Sequence, residues 1–307
     1  VFSKRRRLPR THVAITTTTV MATASEAQPP SNTLTMLERK KPISMKANTA
    51  VRLIAAASGH FQIRVMMTNS RIVVISMLPS DEILREAALG KEGLARHLKP
   101  GSIHMVSGTH GVPVMGELAA GHAAAGQTLV ACHVLGRPDL AATGKLGLVP
   151  GGPPAAVDKV RPMFAAIGDR VIEAGPNPLS ATAIKIANNF ILGCAIEAMG
   201  EGMALVRKYD VDPLVFHKVL VGGLFNCTAY QSYGDLIARE DWGRVGASAV
   251  IGLKDANLAL DAAQPVGVPL PSAAIWQAAL ESAIARGEAN LDWSVMAREV
   301  FRASGLE

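Results

Sequence analysis

The run Ile72-Val73-Val74-Ile75-Ser76, followed by Pro79-Ser80-Asp81 and a helical pattern from Glu82 to Leu94, decides how this sequence is read. Consecutive β-branched residues suit a strand buried on both faces. Proline, serine and aspartate then supply a helix start, and Pro100-Gly101 supplies a stop. Ser102-Ile103-His104-Met105-Val106 follows as the next strand. Strand, helix and strand at this spacing make a parallel crossover unit.

Working outward, the same rhythm continues on both sides. Downstream, a helix is expected from Pro113 to Ala125 and a strand from Gln127 to Ala131. Upstream, Val13-Ala14-Ile15 and Leu34-Thr35-Met36-Leu37 read as further strands. Gly and Pro dominate from Gly144 to Pro154, after which Pro162 to Ile167 and Val171-Ile172 resemble one more helix-strand step. The alternation predicts an α/β, doubly wound, Rossmann-type domain over residues 11–178, behind a basic tail at 1–10.

Residues 179–307 read as all-α. Helices are expected from Leu179 to Tyr209, Pro213 to Val221, Ser248 to Ala263, Ser272 to Arg286 and Trp293 to Ser304. The first is apolar nearly all round and about 45 Å long at about 1.5 Å per residue. Such a helix has to be covered on every side, by its own bundle or by a second copy, so a homodimer or higher homo-oligomer through these helices is expected.

Composition narrows the function classes. A chain of 307 residues with 49% hydrophobic, 18% charged and 4% aromatic residues is globular, with an aliphatic core. The net charge of +6 is local: residues 1–71 hold twelve Lys/Arg against two acids, and the remainder is net acidic. No aromatic residues interleave the basic run Lys4, Arg5, Arg6, Arg7 and Arg10, so no nucleic-acid partner is expected. Cys132, Cys194 and Cys227 form no metal-binding spacing, and no metal is expected. They suit a reducing, cytoplasmic setting, while the arginine-rich start is also compatible with import into an organelle. Lys185, Asn188, Asn189, Glu197 and Glu201 make the most apolar stretch a poor membrane span.

If the first domain holds a dinucleotide, its first turn needs glycines that let backbone approach the pyrophosphate. Here Val13-Ala14-Ile15 leads into Thr16-Thr17-Thr18-Thr19-Val20-Met21-Ala22, with Thr17, Thr19 and Ala22 at the glycine positions. Two readings stand: threonine hydroxyls and the backbone N–H groups of this turn, Val20 and Met21 included, hold phosphate weakly, or the domain no longer binds a dinucleotide. Glu38-Arg39-Lys40-Lys41 falls where a ribose is read; Arg39 and Lys40 suit a 2′-phosphate and hence NADP(H) over NAD(H), and an exposed charged turn is the plain alternative.

The densest polar signal is Lys185-Ile186-Ala187-Asn188-Asn189. On a helix Lys185 and Asn189 are i and i+4 and share a face, with Asn188 beside them. An ammonium and two carboxamides in an apolar helix need partners or a polar cavity, whether catalytic or at a dimer interface. His104, His110 and His133 have no metal spacing and read as packed or loop histidines.

Ile72 to Glu307 resembles the β-hydroxyacid dehydrogenase family, the group of 3-hydroxyisobutyrate, tartronate semialdehyde and glyoxylate/succinic semialdehyde reductases, with imine reductases as distant relatives. The resemblance runs through Val73 to Pro79, Thr109, Gly136-Arg137-Pro138, Gly144-Lys145-Leu146, the Lys185/Asn188/Asn189 helix and Lys254-Asp255. It implies hydride transfer between a nicotinamide and a small semialdehyde, 2-oxo acid or β-hydroxyacid. Lys185 is implied as the proton donor with Asn189 beside it, and Gly136, Arg137, Asn188 and Tyr233 on the substrate side. Met77, Leu78, Pro79, Thr109 and Lys254 are implied at the cofactor, together with Thr17, Thr19, Val20, Met21, Arg39 and Lys40. The departures are Leu135 where members carry a carboxylate-holding Ser, Gly111 after the turn threonine, and a segment at 60–71 that does not read as the usual third helix. A catalytically impaired or non-enzymatic dimeric homologue, or an imine reductase-like enzyme, is the alternative reading.

Overall fold

A computed structural model describes residues 52–55, 62–68 and 71–307. Thr17, Thr19, Val20, Met21, Arg39 and Lys40, and the strands expected at 13–15 and 34–37, lie outside the described residues.

Among the described residues, seven strands form one mixed sheet in chain order: β1 Arg52–Ala55, β2 Gln62–Thr68, β3 Arg71–Met77, β4 Ile103–Val106, β5 Thr128–Leu135, β6 Leu146–Gly151 and β7 Gly168–Val171. β3, β4 and β5 are parallel, through α1 Asp81–Leu89 and α2 Leu94–His97 on one crossover and α3 Val112–Ala124 on the next. The start of α1 follows from its residues: Ser80 caps it by accepting from the Ile83 N–H at 3.3 Å, and Asp81 and Glu82 sit in its first turn. The helix expected over Glu82 to Leu94 instead stops at Leu89 and resumes as the short α2, because Gly90 interrupts it.

Strands β1, β2 and β6 depart from the expected parallel order. Only two residues separate β2 from β3, which permits an antiparallel pair and no crossover; β2 is hydrogen-bonded along all seven residues of β3, with β1 antiparallel outside it. β6 runs antiparallel to β5 after the short α4 Pro138–Ala142, and β7 is parallel to β6 after α5 Pro154–Phe164. The helix expected at Pro162 to Ile167 is therefore the end of a longer one that starts at Pro154, where proline occupies the first turn.

The helical layer consists of α6 Pro178–Arg207, α7 Pro213–Gly222, α8 Thr228–Arg239, α9 Ala249–Ala263, α10 Pro271–Ala285 and α11 Ala297–Ala303. Asn177 caps α6 by accepting from the Leu179 N–H at 2.9 Å, with Pro178 in the first helical position. α6 is apolar and long enough to cross a membrane by composition, and it packs on α3, β5 and β6 as well as α8, α9, α10 and α11. Small residues make that packing possible: a Cβ at Gly193 would lie 2.6 Å from the Trp276 ring, and one at Gly200 would lie 2.6 Å from the Ala297 Cβ. Trp276, Leu280, Trp293 and Phe301 fill the core of this layer.

The sheet has a different interior. Its helices bury Leu84, Met115, Leu118 and Phe164, but His104, His110, His122 and His133 are fully buried with them. Cys132 on β5 is also buried, and burial pushes its thiol up to about 12.

Candidate active site at the strand ends

The loop Ser107–Gly111 leaves the carboxyl end of β4, the side of a doubly wound sheet on which nucleotides bind. Groups from the sheet and the helical layer hold it. The Ser107 N–H donates to the Ser76 carbonyl at 2.8 Å. His133 Nδ1 lies 2.8 Å from the Gly108 carbonyl oxygen. Lys254 Nζ donates to the Thr109 carbonyl at 2.9 Å, and the Gly111 N–H donates to the Asp81 carboxylate at 3.1 Å. His110 Nδ1 is 2.9 Å from the other Asp81 oxygen. Burial raises the Asp81 pKa, but the His110 hydrogen bond and charge, the Gly111 N–H and Lys254 outweigh it and hold the carboxyl below its usual range.

Lys185, Asn189 and Lys254 join one network. Lys185, half-buried on α6, donates from Nζ to the Val134 carbonyl at 2.8 Å. Burial lowers its pKa to about 8; Asp255 opposes this and Lys254 adds to it. Asn189 Nδ2 donates to Asp255 Oδ2 at 2.7 Å, while Asp255 Oδ1 lies 3.3 Å from Lys254 Nζ. Asn188, exposed, donates to Asn189 Oδ1 at 3.3 Å. The i, i+4 spacing therefore does what it predicts: Lys185 and Asn189 lie on the helix face directed at β5 and α9. An ammonium of this acidity, with two N–H donors beyond the one used on Val134, can give a proton to an oxyanion near neutral pH.

Met77 is exposed, Leu78 buried and Pro79 intermediate, on the segment that ends β3. Arg137 and Tyr233 form a second cluster. The Arg137 guanidinium lies 5.0 Å from the centre of the Tyr233 ring, with Nη1 3.9 Å from Asp292 Oδ2. Burial raises the Tyr233 phenol, as does Asp292, and Arg137 opposes them. A Cβ at Gly246 would lie 2.4 Å from the guanidinium, so glycine there admits it. Gly136, exposed at φ 134°, turns the chain into this contact. Sequence reasoning missed Asp81, Thr182 and Asp292, because their partners are distant in the chain; Asp255 was noticed only beside Lys254.

The sequence profile of the NAD binding domain of 6-phosphogluconate dehydrogenase matches residues 18–175, and that of the NAD-binding domain of NADP-dependent 3-hydroxyisobutyrate dehydrogenase matches residues 180–300. An uncharacterized oxidoreductase of Bacillus subtilis is 34% identical over 231 residues, covering 75% of this chain and 80% of that protein. The 3-hydroxyisobutyrate dehydrogenase of Pseudomonas aeruginosa is 30% identical over 209 residues, covering 66% of this chain and 70% of that one. In fold, the crystal structure of a 3-hydroxyisobutyrate dehydrogenase from Salmonella typhimurium superposes with a TM-score of 0.66 at 24% identity, over 74% of this chain and 78% of that one. With a mixed α/β sheet, a helical layer after it and profiles matched across both, this chain belongs to the β-hydroxyacid dehydrogenase family of NAD(P)-dependent oxidoreductases.

Proposed function

We propose that the chain reduces the carbonyl of a small semialdehyde or 2-oxo acid, or oxidises the matching β-hydroxyacid, with Lys185 as proton donor in the reducing direction. The observation that carries this reading is the Lys185 ammonium, half-buried, made more acidic than a free lysine and aimed at β5 beside Asn189 and Asp255. Asn189, fixed by Asp255, holds the lysine's helix face in register with the loop that Lys254 pins.

The described residues fit the nicotinamide end of the cofactor: Met77, Leu78 and Pro79 at the end of β3, Thr109 in the loop, and Lys254 reaching it. A bound nicotinamide supplies or accepts the hydride. Arg39 and Lys40 favour NADP(H) over NAD(H) through a 2′-phosphate. Gly136, Arg137, Asn188 and Tyr233 serve the substrate, with the Arg137 guanidinium held against the Tyr233 ring and Asp292. The nucleotide domain is residues 11–178 and the substrate and dimerisation domain is 179–307.

Replacing Lys185 by Met should lower kcat for glyoxylate or succinic semialdehyde with NADPH by roughly 10²–10⁴-fold while the fold and nucleotide affinity persist. Unchanged turnover in that variant ends the assignment.

One observation favours a second reading. β2 takes the full length of the β3 edge opposite β4, the edge beside which a doubly wound domain sets the strand that leads to its phosphate turn. Together with Thr17, Thr19 and Ala22 in place of glycines, this supports a homologue that has lost nucleotide binding. Titration of tryptophan fluorescence with NADPH and NADH separates the two: saturation supports the reductase, and no saturation up to millimolar nucleotide supports the second reading.

The uncovered face of α6 supports a homodimer. Ile184, Ile191 and Leu205 stay exposed along this helix, with Val215 and Val219 of α7 also uncovered. Light scattering should give twice the chain mass, and Ile191→Glu should convert it to monomer; a wild-type monomer at micromolar concentration refutes the dimer.

A further inference from the structure

Two hydrogen-bonded arms join α6 to the loop Ser107–Gly111, and they bracket Lys185. One turn after the lysine, Asn189 reaches Asp255, which pairs with Lys254, which donates to the Thr109 carbonyl. One turn before it, Thr182 Oγ1 lies 3.0 Å from His133 Nε2, and His133 Nδ1 lies 2.8 Å from the Gly108 carbonyl oxygen. Positions 182, 185 and 189 are i, i+3 and i+7, one face of the helix. The two arms end on adjacent residues of the loop.

The first arm carries charge; the second is neutral. A carbonyl oxygen only accepts, so His133 Nδ1 carries the proton and donates to Gly108; in the neutral ring Nε2 can only accept, and it shares the Thr182 hydroxyl proton with the Pro178 carbonyl, 3.2 Å from Thr182 Oγ1. Burial lowers the imidazole pKa to about 3, with the nearby Lys185, His110 and Lys254 charges adding to it and the Gly108 hydrogen bond opposing it. This histidine is fully buried and both its nitrogens are engaged, so its contribution is geometric. The residue after it, Val134, presents the carbonyl that receives Lys185 Nζ. Moving the Thr182 turn relative to β5 therefore moves the lysine against its acceptor. The charged and titratable groups that face Lys185 are His133 from β5 and Lys254 and Asp255 from α9.

We propose that His133 is a positioning residue for Lys185: its Thr182-to-Gly108 bridge locks the α6 turn that carries the lysine to the loop after β4. The proposal rests on reading Lys185 as the proton donor, and its test does not depend on activity. Competitive acetylation of Lys185 across pH, read by mass spectrometry, reports the ammonium pKa in the whole protein with or without turnover. Thr182→Val keeps the side-chain shape and removes only the hydroxyl; Thr182→Ser restores it.

In the wild type the labelling midpoint should fall at about 8. In Thr182→Val and in His133→Gln it should rise toward the free-lysine value, so that the reactive fraction at pH 8 drops from about half to below about a tenth. Thr182→Ser should return it to the wild-type value. Where turnover is present, Thr182→Val should lower kcat about tenfold with the nucleotide KM unchanged. A folded Thr182→Val protein whose Lys185 midpoint stays at the wild-type value overturns the proposal; a protein with no turnover but a shifted midpoint upholds it and removes only the reductase reading.

Discussion

The two layers of this molecule are held together by different chemistry. In the helical layer the centre is aromatic and apolar: Trp276 packs edge-on against Trp293, Trp293 against Tyr233, and Trp242 lies by Phe301. In the sheet layer a file of polar side chains crosses the interior. Ser76 Oγ lies 2.8 Å from His104 Nε2, His104 Nδ1 lies 2.9 Å from His122 Nε2, and His122 Nδ1 lies 2.6 Å from Gln127 Oε1. Gln127 uses its amide nitrogen on the Ala95 and Leu98 carbonyls, so its oxygen can only accept. That sets every proton in the file: His122 donates to Gln127, His104 to His122, and Ser76 to His104. The helical layer depends on volume, whereas the sheet layer depends on imidazoles staying neutral.

The largest effect should come from breaking the apolar side. Trp276→Ala opens a cavity among α6, α9 and α10 and should cost about 3–5 kcal/mol in a denaturant titration. A loss below about 1 kcal/mol would mean that the layer collapses around the gap.

Acid should break the polar side next. His104 is held well below its usual pKa by burial, with His122 and His110 adding to it, and burial likewise lowers His122 against its Gln127 hydrogen bond; His133 falls to about 3. Each pKa is lower in the folded state than in the unfolded chain, where it is about 6.5. Between those values the unfolded state binds more protons, so stability is full above about pH 6.5 and falls as the pH drops toward the folded values. His133 alone should cost roughly 3 kcal/mol between pH 6.5 and 4. A melting temperature that stays level from pH 7 to 4.5 would contradict neutral buried imidazoles.

A smaller effect sharpens the contrast. Gln127→Leu removes the acceptor that orients the file and should cost about 1–3 kcal/mol by leaving the His122 N–H and two carbonyls unpaired. It should also steepen the acid limb of the stability curve; equal loss at all pH values would separate Gln127 from the histidines.

The same contrast decides what was legible in the sequence. The units from Ile72 to Ala131 could be read because β-branched runs, caps and Gly/Pro stops agree with one another. β6 was hidden in a Gly/Pro-rich stretch, yet Gly151 is small for a packing reason: a Cβ there would lie 2.8 Å from the Ala181 Cβ of α6. α8 was hidden because its polar residues and Gly234 resemble a loop; the glycine admits the His217 ring, 2.6 Å from where a Cβ would be. The antiparallel β2 lies in the segment that departs from the usual third helix, and its alternation of residue types gave no partner.

In the site, Lys185 and Asn189 were legible because four residues of helix put them on one face. Thr182 was not, since its partner lies on a strand 49 residues away. His104, His110 and His133 were read as packed or loop histidines and are buried, but no local pattern reveals that they share one layer with His122 or that His104 and His122 form a directed file.

Cys132 sits in β5 next to His133, sealed from solvent, with a thiol pushed up to about 12, whereas Cys227 is exposed. A thiol reagent at neutral pH therefore reaches position 227 at once and position 132 only when the sheet parts. The protein thus carries its own clock for breathing of the strand that supports Lys185, readable with a thiol reagent and no substrate.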